Sequence, residues 1–452
     1  MSASMPCLED RPTGAERTAA APHGQGVLHP HPINRQSGTS SMAHIAVIGG
    51  GITGITTAYA LIRAGYAVTI VDRNRYPAME TSFANGGQLS ASNAEVWNNR
   101  GTIMRGLRWM LQPSAPLLLN PRPGWHKYSW LAEFCGEIRH YRDHTIQTAR
   151  LAINAREHLF RIAREEQIDF DLAQRGILHV YHDAASFEKA EAANRLLREA
   201  GLDRFAVTPQ EMQAIEPTLH GHFHGGFFTP SDSTGDIHKF TRGLAAASAR
   251  RGAAFRHDAS VARIESDAAG ARIVLSDPAG ETIDCDAVVV CAGVESRRLA
   301  AGVGDRINIY PVKGYSITVQ LRDEASREAA PQVSLLDESA KIVTSRLGPD
   351  RFRVAGTAEF NGYNKDIRHD RIAPLVAWSA RLFPGVATDA VIPWAGLRPM
   401  TPSMMPFVGK GRRPNIYYNT GHGHLGWTLS AATAELICAQ IEEAHASLSR
   451  MG

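Results

Sequence analysis

His44 to Asp72 reads HIAVIGGGITGITTAYALIRAGYAVTIVD, and this stretch decides the fold. Ile45–Ile48 is a short run of small and β-branched apolar residues, the composition of a strand buried on both faces. The chain then turns on Gly49, Gly51 and Gly54, spaced G-x-G-x-x-G. Ile55–Arg63 has the residues of a helix, Gly65 stands just past its end, and Val68–Val71 is a second buried strand ending at Asp72. The order strand, glycine turn, helix, strand is that of a dinucleotide site. Gly49 permits the tight turn, Gly51 lets a pyrophosphate approach the free amides of the first helical turn, and Gly54 lets helix and strand pack closely. Asp72, eighteen positions after Gly54, falls where an acid accepts hydrogen bonds from ribose hydroxyls. No Lys followed by Ser or Thr closes the turn, which excludes a phosphate loop of the nucleotide-hydrolase kind.

Working outward, 452 residues are enough for two domains, and 44% apolar with 21% charged is ordinary for a globular chain. A formal charge of +3 gives no concentrated basic face for nucleic acid. Cys7, Cys135, Cys285, Cys291 and Cys438 are odd in number and widely spaced, which argues against a disulfide scaffold or zinc ribbon and for a reducing, cytoplasmic setting. No apolar run reaches the roughly 18 residues of a membrane span, so any membrane contact is peripheral, at the inner face. Residues 1–42 lack apolar periodicity and carry three basic against three acidic side chains, a disordered composition without a secretory signal. The reading therefore takes Met42 as the natural start; mass spectrometry of the natively expressed protein, finding Met1 intact, would refute that.

Met79–Ser90, METSFANGGQLS, is a polar, glycine-bearing loop able to lie against the cofactor. Residues 97–145 are rich in Trp, Pro and Arg and read as a cap, and Thr145–Glu166 as an amphipathic helix. Gly225, Gly226 and Thr229–Asp236 read as a second polar loop. Asp286–Gly293, DAVVVCAG, is a central parallel strand ending at the ligand crevice. Alternation over 307–319, 341–345 and 351–359 predicts antiparallel strands of a different sheet, with one face wet. The strand Ile416–Asn419, the turn Gly421–Gly426 and a helix from Thr428 repeat the opening theme at the other end of the chain. One complete fingerprint served by two helix N-termini suits a flavin, whose ring becomes anionic on reduction. A nicotinamide-dependent enzyme and a non-catalytic nucleotide-binding subunit are the alternatives from other classes; both would be colourless.

WAGLRPMT places Arg398 between Leu397 and Pro399 with no acid nearby in sequence, and its planar fork suits a substrate carboxylate. His422 and His424, like His220, His222 and His224, lack the Cys or carboxylate that would complete a metal set. Cys291, with no base beside it, is a packing residue rather than a nucleophile.

HIAVIGGGITG, ETSFANGGQLS, DAVVVCAG, YPVKGYSIT, WAGLRPMTP and NTGHGHLGWT together resemble the FAD-dependent D-amino-acid dehydrogenases, within the D-amino-acid oxidase and glycine oxidase superfamily. The likeness runs from about residue 43 to 445. It implies an α/β fold: a Rossmann-like FAD domain with an inserted antiparallel-sheet (α+β) substrate domain. Residues 43–95, 146–172, 233–305 and 393–446 are assigned to the FAD domain, and 96–145, 173–232 and 306–392 to the substrate or cap domain. It implies that Arg398 binds the carboxylate, with Tyr315 and His422 on the catalytic side. It places FAD against Val47, Ile48, Gly49, Gly50, Gly51, Ile52, Thr53, Gly54, Asp72, Arg73, Thr81, Ser82, Gly87, Gln88, Val261, Ala292, Gly293, Gly421, Gly423, Leu425 and Gly426, with no metal. The partners implied are a D-amino acid and a quinone or carrier protein as electron acceptor. A dehydrogenase of a secondary amine such as D-hydroxyproline or D-proline, and an oxygen-using oxidase, are the alternatives within the superfamily. Ser403, Met404 and Met405 depart from the polar residues usual before Pro406, which predicts a more apolar wall beside the carboxylate site.

Overall fold

A computed structural model of the chain describes residues 42–109 and 116–449; the extension before Met42 and residues 110–115, with Pro113, lie outside it. His44–Ile48 is the strand expected, flanked in parallel by Ala67–Val71 and by Ala287–Val290. Among the described residues these belong to a six-stranded sheet ordered Phe407–Lys410, Ile416–Thr420, Ala287–Val290, His44–Ile48, Ala67–Val71, Ala254–Arg256. The edge strand Phe407–Lys410, absent from the sequence reading, is its antiparallel member. The helices Ile52–Arg63, Ile237–Arg250, Tyr141–Glu165 and Gly426–Ser449 supply the residues buried against one face, Ile55, Leu61, Phe240, Leu159 and Ile437 among them. A three-stranded antiparallel sheet, Val261–Ser266, Ala271–Leu275 and Thr282–Cys285, packs on the other.

The second large sheet is mixed and nine-stranded, running from Val391–Met400 through Tyr310–Gln320, Arg351–Phe360, Ile342–Leu347, Ser334–Asp337, Ile177–Tyr181 and Gly225–Thr229 to Phe205–Val207, with Leu117–Leu119 beside Arg351–Phe360. Three expectations change here. Gly225 and Gly226 lie in a strand, not a loop: a Cβ on Gly226 would stand 2.7 Å from the His179 carbonyl oxygen, so glycine marks close strand approach rather than a turn. Tyr310–Gln320 has no wet face, being buried along nearly its whole length. One side packs on the helix His369–Leu382 through Tyr315, Ile317, Leu375 and Trp378, and the other roofs the central cavity. Trp394–Met400, read with the nucleotide segments from residue 393, is hydrogen-bonded into this sheet along Tyr310–Gln320, with Val312 opposite Arg398 and Gly314 opposite Gly396.

Among the described residues no helix is long and apolar enough to cross a membrane.

Candidate active site

A cavity of about 750 Å³ lies between the two sheets, lined by the tips of the Ile52–Arg63 and Gly426–Ser449 helices and by Arg398. The glycines act as their spacing requires. Gly49 has φ +114°, and a Cβ there would meet the Cys291 carbonyl oxygen at 2.5 Å; one on Gly54 would fall 1.8 Å from the Gly49 oxygen. The first helix starts without a side-chain cap at Gly51 and without an acid in its first turn. Ser82 Oγ accepts from the Ile52 amide at 3.0 Å, and Gly51, Ile52 and Thr53 of the helix's positive end line the cavity. The last helix likewise carries no acid in its first turn, and its start also lines the cavity.

The ETSFANGGQLS loop is fixed between the sheets. Its consecutive carbonyls Ala84, Asn85 and Gly86 accept from Ser316 Oγ (2.8 Å), Arg353 Nη1 (3.0 Å) and Ser345 Oγ (2.6 Å), and Thr81 Oγ1 donates to the Leu397 carbonyl at 2.8 Å. A loop with its carbonyls occupied presents the cavity with a rigid wall.

The Arg398 guanidinium lies flat over Gly314: a Cβ there would stand 2.4 Å from Cζ, Nη1 and Nη2. Nη1 donates to the Thr357 carbonyl at 3.0 Å. Among the described residues no acidic side chain pairs with Arg398; burial alone pushes its pKa down to about 10, so it stays a cation at neutral pH. Thr357 sits at φ +63° in a bulge where Lys313 faces Glu359 but Tyr315 faces Gly356. A β-branched residue in the left-handed region costs of order 1–3 kcal/mol, a strain typical of functional sites. It aims the carbonyl at the guanidinium.

Most of the expected cofactor residues line the cavity: Ile48, Gly49, Gly51, Ile52, Thr53, Asp72, Arg73, Thr81, Ser82, Gly87, Gln88, Val261, Ala292, Gly293, Gly421, Gly423 and Gly426. Val47, Gly50, Gly54 and Leu425 do not. Val47 points into the helix layer, Gly50 gives its amide to Asp72 Oδ2 at 2.5 Å, Gly54 packs on Gly49, and Leu425 packs with Ala91 and Ala94. Asp72 also accepts from the Asn74 amide at 2.7 Å, which fixes the carboxylate at the cavity edge. The Gln88 amide donates to Ser334 Oγ (2.8 Å) and the Leu335 carbonyl (3.1 Å), bracing the sheet with its nitrogen.

Tyr315 and His422 both border the cavity, but their polar ends are engaged elsewhere. The Tyr315 side chain lies on the strand face opposite Arg398, because side chains alternate and Gly314 takes the Arg398 side. Its hydroxyl donates to Glu359 at 2.7 Å, and Glu359 pairs with the buried Lys313 at 3.3 Å. His422 reaches the cavity wall, but its Nε2 is hydrogen-bonded to Thr433 Oγ1 of the last helix at 2.9 Å, and burial pushes its pKa down to about 3. It is neutral, and that nitrogen is committed to packing. The apolar wall expected from Met404 and Met405 is absent from the cavity: Met404 packs with Trp130 and Met400, and Met405 contacts Thr148. Cys291 is the packing residue expected, its buried thiol pushed up to about 12. Asn93, Trp97, Ser316, Thr357, Trp394 and His424 line the cavity without having been singled out as site residues. Their signal was weak, because each is a common residue whose placement depends on the partner strand or loop.

The sequence matches the family described as FAD dependent oxidoreductase over residues 44–440. The chain belongs to that family. FAD is therefore the cofactor of this flavoenzyme, and the helix tips without acids, the close-packed glycines and Asp72 fit a dinucleotide in the cavity. The flavoenzyme is 62% identical over 396 residues to D-amino acid dehydrogenase 3 of Mesorhizobium japonicum, covering 88% of this chain and 96% of the relative. It is 40% identical to D-amino acid dehydrogenase of Dechloromonas aromatica, covering 88% and 96%. Its fold is similar to glycine oxidase from Geobacillus kaustophilus (TM-score 0.68, 20% identity, 89% and 95% of the chains covered) and to L-proline dehydrogenase from P. horikoshii (0.68, 16%, 89% and 94%).

Proposed function

We propose that this flavoenzyme oxidises D-amino acids to α-keto acids and ammonia, with Arg398 as the carboxylate anchor. One observation carries the assignment of Arg398: a guanidinium on the cavity wall with one carbonyl contact and no acidic partner among the described residues. Leaving a cation so placed without an anion is costly, and a substrate carboxylate completes it. FAD, when bound, accepts the hydride from the α-carbon. Arg398 fixes the acid so that the α-C–H points along the cavity, and positioning of this kind supplies much of the rate. No side-chain base is required when the amine binds neutral; the imino acid released hydrolyses in water. The segments facing the helix tips act as the FAD domain and those around Arg398 as the substrate domain.

Anaerobic mixing with single D- and L-amino acids, read by bleaching of the yellow flavin, tests this. Arg398→Ala should lower kcat/KM for D-amino acids by about 10²-fold or more, and Arg398→Lys should rescue little, since a point charge lacks the fork. Near-wild-type kinetics in either variant would refute the assignment.

The electrons pass to a quinone or carrier protein, with the enzyme cytoplasmic and peripheral at the membrane. Support comes from Met104, Trp125 and Tyr128, 65%, 86% and 45% exposed, on the helices Arg100–Trp109 and Trp125–Gly136. Wild type should reduce quinone embedded in anionic vesicles, and Trp125→Ser should do so several-fold more slowly while bleaching normally with substrate. Equal quinone reduction by the two would exclude this docking face.

A further inference from the structure

A polar atom at the substrate end of the cavity has no role in the account above. His424 lines the cavity, and its ring stacks on Trp97 with centroids 4.7 Å apart and planes 24° apart. Its Nε2 lies 3.1 Å from the Asn93 carbonyl oxygen. A carbonyl only accepts, so Nε2 carries the hydrogen and Nδ1 is left as a bare lone pair. That Nδ1 is buried and has no hydrogen-bond partner among the described residues. Burial, the dominant influence, pushes the imidazole pKa down to about 4; the Asn93 contact raises it somewhat, and Arg398 and Lys341 push it further down.

The lone pair is fixed in direction. Stacking on Trp97 and the Asn93 bond restrain the ring, whereas the nearby orphaned hydroxyl of Thr357 can rotate toward several acceptors. An unmet buried acceptor is a standing cost, and a donor arriving with the substrate removes it. An amino acid held by its carboxylate brings such a donor, because its nitrogen is one bond from the α-carbon. Arg398 is close enough to act on the imidazole electrostatically, so a nitrogen beside an anchored carboxylate falls within the same end of the cavity.

We propose that His424 Nδ1 accepts a hydrogen bond from the substrate's α-amine, making His424 the amine-recognition residue of the site; this rests on Arg398 binding the carboxylate. One N–H of the amine suffices for this bond, so the lone pair of the neutral amine stays available when hydride leaves. A weak base in this position takes no proton in the step, and the hold on acid and amine restricts how the α-carbon is presented. The recognised class is a carboxylate with an α-nitrogen carrying at least one hydrogen, primary or secondary.

The test uses the FAD-loaded enzyme and two ligands it cannot oxidise: α-aminoisobutyrate, which has no α-hydrogen, and isobutyrate, the same acid without the amine. Binding is read from the perturbation of flavin absorbance. Wild type should prefer the amino acid to the plain acid. His424→Gln places an amide nitrogen near the position of Nε2, keeping the donor to Asn93 and losing the acceptor; its preference should fall by about tenfold. His424→Asn places an oxygen near the position of Nδ1 and should keep most of the preference. Retention of the preference by the Gln variant overturns the proposal, as does its loss by Asn but not Gln, which would make the contact to Asn93 the role of this residue. A wild type with no preference overturns it too. Isobutyrate binding monitors Arg398 separately: if Arg398→Ala binds isobutyrate as wild type does, the carboxylate reading fails, whatever the histidine variants show. Unchanged flavin content and melting temperature establish that each variant folds.

Discussion

Gly314→Ala is the most discriminating single perturbation of this site. The added methyl carbon would lie 2.4 Å from three atoms of the Arg398 guanidinium, short of ordinary contact at 3.4–4 Å by at least 1.0 Å. The strand cannot yield that distance easily, since Tyr310–Gln320 is paired along Val391–Met400 on one side and Arg351–Phe360 on the other. The guanidinium has the cavity in front of it, so it is the group that moves, and its 3.0 Å bond to the Thr357 carbonyl breaks. A shift of that size at an anchor costs on the order of 10²-fold in catalysis. Overpacking a closed core would cost about 1–3 kcal/mol, but here the displaced group enters open space, so the melting temperature should fall by only a few degrees. Anaerobic stopped-flow bleaching across D-amino acid concentrations gives kcat and KM, and calorimetry gives the melting temperature. A variant with wild-type kcat/KM would refute the placement of the guanidinium over Gly314. A variant that loses activity and stability together would show that the methyl is resolved by the strand, not by Arg398.

Tyr315→Phe removes the donor to the buried Glu359, so it should destabilise the protein by about 1–3 kcal/mol while leaving kcat/KM within a few-fold of wild type; a large kinetic loss with unchanged stability would return Tyr315 to the substrate side. Asp337 is fully buried, and although desolvation alone would raise its pKa, bonds from His182 (3.0 Å), Trp378 (2.9 Å), Ser339 and Ala340 hold it down to about 2. A depressed acid stabilises the fold above its unfolded pKa of roughly 4, and that stability is lost as pH falls toward 2, amounting to about 2 kcal/mol. Denaturant titrations at pH 7, 4 and 2.5 should show this loss in wild type and a flatter acid limb in Asp337→Asn; parallel curves would exclude the linkage.

The opening stretch was legible because strand period, glycine spacing and helix content are all local properties of His44–Asp72, and local chemistry decides them. The closing strand, turn and helix were legible for the same reason. Tyr315 was misplaced because its neighbours in sequence settle that a strand exists but not which face looks inward; that depends on register, and here Val312 stands opposite Arg398. The bulge at Thr357 then shifts the next strand's pairing, and nothing in the tripeptide Gly356–Thr357–Ala358 announces a left-handed threonine. Much of what shapes the cavity is also backbone: two helix starts without an acid in the first turn and a carbonyl of a strained threonine that holds Arg398, beside a loop whose own carbonyls are used up. Main-chain groups are common to every sequence, so reading side chains finds the guanidinium and misses what holds it. Glycine is the partial exception. Gly314 and Gly396 are paired directly across adjacent strands, and at each the missing side chain makes room for another, the Arg398 guanidinium at the first and the Trp394 ring at the second. Two glycines facing each other inside long strands are costly to a sheet unless something lies across them. Once the register is known, the residues on the same face one pair away are Val312, Ser316, Arg398 and Trp394, and of these only Arg398 and Trp394 are long enough to lie across a glycine, so the anchor and its aromatic neighbour follow from the pairing and side-chain length.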